Sequence, residues 1–250
     1  MVPILQAQRV SVRFGGLRAL NEVSLTIMPG ELRALIGPNG SGKSTFLNAV
    51  SGLVSCNGGV IELAGENITA YPAHERASRG LFRTFQSVQL LRSCTVLENV
   101  VLGLHRGFGG RGNLSEHEAI MRVRDVLRLL GCEEVLFHEV AALPFAQQRL
   151  VEIARALVAE PRLLLLDEPA AGLSPAAVAD LERLFVKLRD ERRTAILLIE
   201  HMMSMVMGIS DRITVLNEGM VIAEGTSKEI AADSRVKAAY LGEGDDAARE

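Results

Sequence analysis

Residues 37–45 read GPNGSGKST and match the pattern G-x-x-x-x-G-K-[ST] at every position. The apolar run LRALIG precedes this segment and KSTFLNAVSGL follows it, so we expect a strand before the loop and a helix after it. The glycines let successive backbone N–H groups point at a β-phosphate. Lys43 adds a positive charge near the β- and γ-oxygens, and Ser44 offers a hydroxyl to Mg²⁺. The segment therefore predicts a nucleoside triphosphate site. Its residues are Gly37, Pro38, Asn39, Gly40, Ser41, Gly42, Lys43, Ser44 and Thr45.

A second motif, LLLLDE at residues 163–168, is an apolar run that ends in two acids. A strand of this kind delivers Asp167 to the carboxyl edge of a sheet, where its carboxylate can hold a water on Mg²⁺. Glu168 extends past it and is a candidate to orient or deprotonate an attacking water. The pattern is weak in isolation, but the phosphate loop upstream makes it a strong indication of nucleotide hydrolysis.

The remaining patterns predict an α/β chain. Residues 4–14 and 23–27 alternate between apolar and polar side chains, which favours half-buried antiparallel strands. From about 95 to 160 the apolar residues recur at helical spacing. Apolar strands then alternate with helices, which indicates a parallel sheet covered on both faces. The segment DRITVLNEGMVIAEG predicts a hairpin around Asn217 and Gly219.

Composition narrows the class of protein. The formal net charge is −3, which does not favour nucleic acid as the main partner. The three cysteines fit no C-x-x-C spacing and are expected to be reduced thiols of a cytosolic protein. We see neither an N-terminal signal nor about 18 uninterrupted apolar residues, so any membrane segment must come from another subunit. The glycine-rich segment 107–113 is expected to be a flexible connector, and the charged tail is expected to fray.

Further motifs occur in a fixed order around these two. Gln86 follows LFRTF, QQRLVEIARAL precedes the acidic strand, AAGLSP follows it, and LLIEH ends the next strand at His201. This ordered set resembles the ATP-binding subunits of ABC transporters over nearly the whole chain. The resemblance implies an α/β P-loop NTPase fold, with a RecA-like parallel sheet core, an antiparallel β subdomain and an inserted α-helical subdomain. The expected ranges within a single domain 1–250 are about 1–35 and 58–70 (β), 31–57, 71–90 and 160–225 (core), 91–159 (helical) and 226–250 (tail).

The same resemblance implies roles for single residues. Gln86 would contact Mg²⁺ and the attacking water, and it would relay the nucleotide state to the helical block. His201 would touch the γ-phosphate. Phe14 would stack on adenine, because an aromatic face binds a base without reading its edges. The turn AGLSP at 171–175 would cross a dimer interface. A lone glutamine, histidine or phenylalanine would otherwise be read as solvated or structural.

Finer motifs, among them RTFQ, TVLENV, DEPAAGLSP and KAAYLG, are similar to the ATPase subunits of branched-chain (hydrophobic) amino acid importers, in particular the longer of two paralogues. Related importers of urea or short amides use similar subunits. The resemblance implies ATP and Mg²⁺ as ligands and a nucleotide-sandwich dimer with a paralogous ATPase or a second copy. It also implies multi-spanning permease subunits, an indirect link to a substrate-binding protein, and a peripheral location on the cytoplasmic face of the inner membrane.

Two other classes fit the sequence less well. A soluble ABC protein acting on DNA or ribosomes normally carries long coiled coils or two tandem cassettes, and neither pattern is present. A small-molecule kinase with a phosphate loop would not need Gln86, the segment before the acidic strand and His201 in this order.

The segment ALPFAQQR at residues 142–149 departs from the family pattern. Most ABC ATPases have Leu-Ser-Gly-Gly-Gln there, a loop that binds the γ-phosphate held by the opposite subunit. The corresponding residues of this signature loop are Leu143, Pro144, Phe145, Ala146 and Gln147. Proline is tolerated where a helix begins. If the glycine replaced by Ala146 needs a left-handed backbone, alanine costs about 1–2 kcal/mol. The loop is then either a working variant or the weak half of an asymmetric dimer.

Overall fold

The computed structural model of the chain describes residues 2–106 and 114–241. The predicted connector at 107–113 and the predicted frayed tail at 242–250 lie outside these residues. The described residues form two sheets. Their strands are β1 (Leu5–Phe14), β2 (Leu17–Ile27), β3 (Leu32–Ile36), β4 (Gly58–Leu63), β5 (Glu66–Asn67), β6 (Leu81–Arg83), β7 (Leu163–Asp167), β8 (Ala195–Ile199), β9 (Arg212–Asn217) and β10 (Met220–Gly225).

The first sheet is antiparallel, with the strand order β2-β1-β4-β5. The second has the order β10-β9-β3-β8-β7-β6 and is parallel from β9 to β6. Strand β10 pairs antiparallel with β9 through the hairpin, so the sheet is mixed at this edge. The antiparallel start, the parallel core and the hairpin at Asn217 to Gly219 confirm the strand predictions, whereas the subdomain ranges stay predictions.

The helices lie mainly between β6 and β7 and after β7. They are α1 (Lys43–Ser51), α2 (Ala73–Ser78), α3 (Val96–Val101), α4 (Glu116–Leu129), α5 (Phe145–Leu157), α6 (Pro175–Arg192), α7 (Met203–Ile209), α8 (Ser227–Ala232) and α9 (Ser234–Leu241). Thr95, Ser115 and Thr226 begin α3, α4 and α8 with capping boxes, in which a glutamate three residues later binds back to the cap. Within the described ranges, no helix has the length and apolarity that crossing a membrane requires.

The run of four leucines in β7 explains how the parallel sheet is held between two layers. Leu164 and Leu166 belong to a buried cluster shared with α3 to α6, whereas Leu163 and Leu165 face a cluster shared with α1 and the antiparallel sheet. Each fully buried leucine contributes about 1.5–3 kcal/mol, so a strand that is apolar on both faces is strongly fixed in the sheet centre. Because β3, β8 and β7 pair in parallel, their carboxyl ends share one edge of the sheet.

Candidate nucleotide-binding and hydrolysis site

A cavity of about 580 Å³ opens beside the carboxyl edge of the parallel sheet. It brings together residues that lie far apart in the sequence. Those predicted from the sequence are Phe14, Asn39, Gly40, Gly42, Lys43, Ser44, Thr45, Gln86, Glu168 and His201, and those not predicted are Leu17, Arg18, Ala19, Glu218 and Gly219. The loop residues Gly37, Pro38 and Ser41 and the acid Asp167 do not line this cavity.

The phosphate loop can adopt its conformation only with glycine at two positions. Gly37 has φ +148° and Gly42 has φ +103°, and a Cβ on either would meet a backbone oxygen, that of Leu216 at 2.0 Å or of Ala19 at 2.7 Å. Gly42 also precedes α1, whose first turn contains no acidic side chain and no side-chain cap. The amino terminus of α1 therefore presents its partial positive charge to the cavity.

Two polar groups show that the loop fits a phosphate chain. Lys43 Nζ donates to the carbonyl oxygens of Gly37 at 2.7 Å and Pro38 at 2.8 Å, so the ammonium group lies inside the loop. The hydroxyl of Ser41 is buried without a hydrogen-bond partner. A buried, unpaired hydroxyl is costly, and a phosphate oxygen would satisfy it.

Glu168 lies between the two other predicted catalytic side chains. Gln86 Nε2 donates to its Oε2 at 3.0 Å, and His201 Nε2 lies 2.9 Å from its Oε1. The backbone of Glu168 is left-handed, with φ +49°, which costs a non-glycine residue roughly 1–2 kcal/mol. Its N–H donates to the carbonyl of Ile199 at 2.9 Å, which anchors this strained turn to β8. Strain of this kind is typical of functional sites.

Asp167 has a different environment from its neighbour. It is 4 % exposed, and Arg83 Nη2 lies 2.9 Å from its Oδ2. Burial raises the pKa of Asp167, and the charge of Arg83 opposes that rise. The same guanidinium donates to Asn48 Oδ1 at 2.6 Å and Ser51 Oγ at 3.1 Å, so it ties α1 to the end of β7. Asp167 and the hydroxyl of Ser44 carry oxygens of the kind that Mg²⁺ prefers, and their role as its ligands stays a prediction.

Phe14 lines the same cavity, on the side that the β1–β2 turn forms. Its side chain is 51 % exposed, and Leu17, 68 % exposed, lies beside it on the cavity wall. A nucleotide bound at the phosphate loop would have this apolar surface within the reach of its base. Stacking of Phe14 on adenine stays a prediction.

The signature loop lies away from the phosphate-loop cavity. Pro144 is the N-cap of α5, and Phe145 and Ala146 begin the helix, so the proline is tolerated for the expected reason. Ala146 lines a separate cavity of about 510 Å³ between α4, α5 and α6. A single chain therefore does not bring residues 143–147 to its own phosphate loop.

The backbone penalty considered for Ala146 is absent. Ala146 lies inside α5 and is not among the residues with positive φ, so the left-handed conformation that would disfavour alanine does not occur. Alanine is the best helix former, which makes it well suited to this position. The condition under which alanine would strain this backbone is therefore not met.

Two further residues organise the site, Arg83 within RTFQ and Glu200 within LLIEH, although neither was assigned a role from the sequence. Arg83 neutralises Asp167, and Glu200, 4 % exposed, accepts hydrogen bonds from the backbone N–H groups of Ala170 at 2.7 Å and His201 at 3.2 Å. Burial raises the pKa of Glu200, and these backbone N–H groups oppose the rise. Glu200 thus joins the turn after Glu168 to His201, whose side chain contacts Glu168.

Comparisons with known proteins agree with this geometry. The ABC transporter family model matches residues 20–171, and the model of the branched-chain amino acid ATP-binding cassette transporter matches residues 220–246. The high-affinity branched-chain amino acid transport ATP-binding protein BraF of Pseudomonas aeruginosa is 41 % identical, over 96 % of this chain and 98 % of its own.

Two solved structures are also similar. The ADP conformation of MJ1267, an ATP-binding cassette of an ABC transporter, matches with a TM-score of 0.87 and 31 % identity, over 97 % of this chain and 100 % of that one. The dimeric structure of the bacterial ABC transporter cassette MJ0796 matches with a TM-score of 0.79 and 28 % identity, over 89 % of this chain and 98 % of that one. This chain therefore belongs to the ATP-binding cassette family of ABC transporters.

Proposed function

We propose that this chain is the ATP-hydrolysing, energy-coupling subunit of an importer for branched-chain amino acids. The observation that carries the proposal is the position of Glu168 at the phosphate-loop cavity, bound on both sides by Gln86 and His201. The name of BraF and the match of the carboxyl-terminal model support the class of transported solute. The solute itself would bind to other subunits.

The side chains suit in-line attack of water on the γ-phosphate. Glu168 would accept a proton from a water while the water oxygen bonds to the γ-phosphorus and the bond to the β–γ bridging oxygen breaks, which releases ADP. Gln86 would orient Glu168 and the water, and His201 would contact the γ-phosphate. Lys43 would move from its two carbonyl partners to the β- and γ-oxygens. Mg²⁺, which Asp167 and Ser44 would hold with a contribution from Gln86, supplies positive charge for the phosphates.

A second ATPase chain would complete each site. The residues of the signature loop lie outside the cavity that contains Lys43, so they are free to face the nucleotide of a partner subunit. The dimer of MJ0796 supports a sandwich of two cassettes, here with a paralogue or a second copy. Closure and reopening of the pair would drive the membrane subunits between access states.

The surface after Gln86 suits contact with those membrane subunits. Leu91 is 50 % exposed and Phe137 is 64 % exposed. The two lie on neighbouring segments, because Leu97 donates its N–H to the carbonyl of Leu136 at 2.9 Å and Ala141 donates to that of Arg92 at 3.0 Å. We propose that this apolar surface docks on the permease at the cytoplasmic face of the inner membrane.

Uptake measurements test the proposal. Cells that lack the chain would be complemented with the wild type or with Glu168→Gln, and the uptake of labelled leucine, isoleucine, valine and urea would be compared. We expect uptake of the three amino acids to need the wild-type glutamate. Dependence of urea uptake alone would move the assignment to the related amide importers, and co-purification without any multi-spanning subunit would contradict a transport role.

A further inference from the structure

Helix α5 grips the backbone of the segment that carries Gln86. Arg149 Nη1 donates to the carbonyl of Phe85 and Nη2 donates to that of Gln86, both at 2.8 Å. Glu152, one turn further along the helix, accepts from the N–H groups of Phe85 at 3.4 Å and Gln89 at 3.3 Å. Two side chains on one face of α5 therefore bind two backbone carbonyls and two backbone N–H groups between residues 85 and 89.

The two gripping side chains are also bound to each other. Arg149 Nη1 lies 2.9 Å from Glu152 Oε2, and each side chain is 1 % exposed. Burying an ion pair costs desolvation free energy, which further hydrogen bonds offset, and here the backbone of Phe85, Gln86 and Gln89 provides several of those bonds. Moving this segment away from α5 would leave the ion pair intact but remove its hydrogen bonds to the backbone, so the segment and the helix are held together.

The sheet does not hold Gln86 in this way. Strand β6 ends at Arg83, and its last backbone contact with β7 is the bond from the N–H of Thr84 to the carbonyl of Leu165 at 3.0 Å. From Phe85 onward the hydrogen bonds described above go to α5. The position of Gln86 opposite Glu168 is therefore set by a helix whose first residues belong to the signature loop.

We propose that Arg149 and Glu152 are positioning residues that fix Gln86 against Glu168 from helix α5. The proposal rests on the proposed hydrolysis of ATP at Glu168. Because α5 begins directly after Pro144, a displacement of its amino terminus by the partner's nucleotide would carry Gln86 with it. The helix thereby links the site that the chain completes in its partner to the site on its own phosphate loop.

Hydrogen exchange of the full chain tests the grip without any activity measurement. Arg149→Lys keeps a positive charge but removes the planar fork that reaches two carbonyls and Glu152 together. We expect the amides of Phe85 and Gln89, which donate to Glu152, to exchange at least about tenfold faster in this variant, because their acceptor loses its bound arginine. Arg33→Lys is the matched control, because Arg33 is 3 % exposed and ion-paired with Glu31 but lies away from this segment. Unchanged exchange at residues 85–89 would overturn the proposal.

A double-mutant cycle in the assembled transporter tests whether the grip acts through Gln86. Arg149→Lys, and independently Glu152→Gln, should lower kcat for ATP by about ten- to hundredfold, the usual effect of a small displacement of a catalytic group. The KM for ATP should stay within about twofold, because the phosphate loop keeps its contacts. Added to Gln86→Ala, either variant should cause no further loss, since the group it positions is already absent.

The two possible failures are distinguishable. A wild-type complex that does not hydrolyse ATP would refute the proposed function, whereas the exchange of residues 85–89 would still report on the grip. Losses that multiply between Arg149→Lys and Gln86→Ala would show that Arg149 has only a general structural role. The isosteric Glu152→Gln gives the same readouts if Arg149→Lys does not fold.

Discussion

Two adjacent acids at the end of β7 receive different environments from the residues around them. Asp167 faces Arg83 and is nearly buried, whereas the left-handed turn at Glu168 brings the next carboxylate to the cavity between Gln86 and His201. A strand that continued in extended geometry would place successive side chains on opposite faces. The left-handed backbone at Glu168 thus separates the two carboxylates, as their different proposed roles, magnesium ligand for Asp167 and base for Glu168, require.

Replacement of this base separates binding from hydrolysis. Glu168→Gln retains an oxygen that can accept from Gln86 but cannot take up a proton, so we expect ATP binding to persist and turnover to fall by at least about a hundredfold. Size-exclusion chromatography in ATP should then show a trapped dimer with the partner ATPase. Persistent phosphate release together with no dimer would exclude Glu168 as the base.

Removal of the Lys43 ammonium group should weaken ATP binding as well as turnover. Lys43→Ala deletes the charge that balances the β- and γ-phosphates, so we expect both weaker binding of ATP and less than about a tenth of wild-type phosphate release in the purified complex. Lys228→Ala, a change of an exposed lysine in α8, is the control and should keep wild-type rates. Turnover above a tenth of wild type would contradict the assignment of the phosphate loop.

The sequence predicted the site residues that follow strands better than the residues that hold those site residues in place. The phosphate loop, Gln86, Glu168 and His201 occur at strand ends in a recognisable order, and the structure places the last three on one cavity with six residues of the loop. Arg83 and Glu200 act through the partners that folding gives them. No spacing rule relates Arg83 to Asp167, because their contact depends on the pairing of β6 with β7.

At the scale of elements, α5 shows why a departure from a family motif need not be a defect. Helical geometry at Ala146 removes the reason for expecting glycine there, and Pro144 takes the N-cap position, where its missing N–H is not needed. Periodicity predicted the existence of this helix. Periodicity did not predict the first residue of α5. That residue matters, because it decides whether the backbone of Ala146 is left-handed or helical.

A glycine at this position should not restore activity. Ala146→Gly adds backbone freedom within the first turn of α5, which lowers the free energy of unfolding by up to about 1 kcal/mol. We therefore expect no gain in turnover of the assembled complex and a slightly lower midpoint in thermal unfolding. A gain approaching tenfold would show that the Cβ obstructs the partner's nucleotide and would revive the asymmetric dimer.

The cluster beneath α4 offers a probe of the helical region. Cys132 is 2 % exposed in this cluster, and burial raises the pKa of its thiol to about 12. At pH 8 only about one such thiol in 10⁴ is ionised, so a maleimide should leave Cys132 unmodified in the native chain. Peptide mass spectrometry should detect labelling at all three cysteines in denaturant. Rapid native labelling of Cys132 would mean that this cluster opens readily.

At the scale of the whole molecule, the phosphate loop and the signature loop lie on different cavities, as the proposed sharing of each ATP site between two chains requires. The cavity with Lys43, Gln86, Glu168 and His201 contains no residue of the signature loop, and Ala146 faces a separate cavity. Only the family resemblance predicted this division. A sequence motif alone does not say whether two loops meet within one chain or between two chains. The isolated chain should accordingly bind ATP but hydrolyse it poorly.

A charge placed on the signature loop tests that division. Ala146→Glu puts a carboxylate in the first turn of α5, where the helix dipole stabilises it, so the chain should fold normally. In the assembled pair the same carboxylate would face the γ-phosphate of the partner, and like charges in a site that excludes water repel strongly. We expect the isolated variant to bind a fluorescent ATP analogue as tightly as the wild type does, while hydrolysis at the site it completes in the partner is lost.

The contrast with Lys43→Ala makes this result specific. Lys43→Ala should lose binding already in the isolated chain, because the phosphate loop is its own, whereas Ala146→Glu should show its defect only after assembly. Equilibrium binding to each isolated chain and single-site phosphate release from each reconstituted complex measure the two effects separately. Weakened binding by isolated Ala146→Glu, or wild-type turnover at both sites of its complex, would mean that residues 143–147 do not act on the nucleotide of a second subunit.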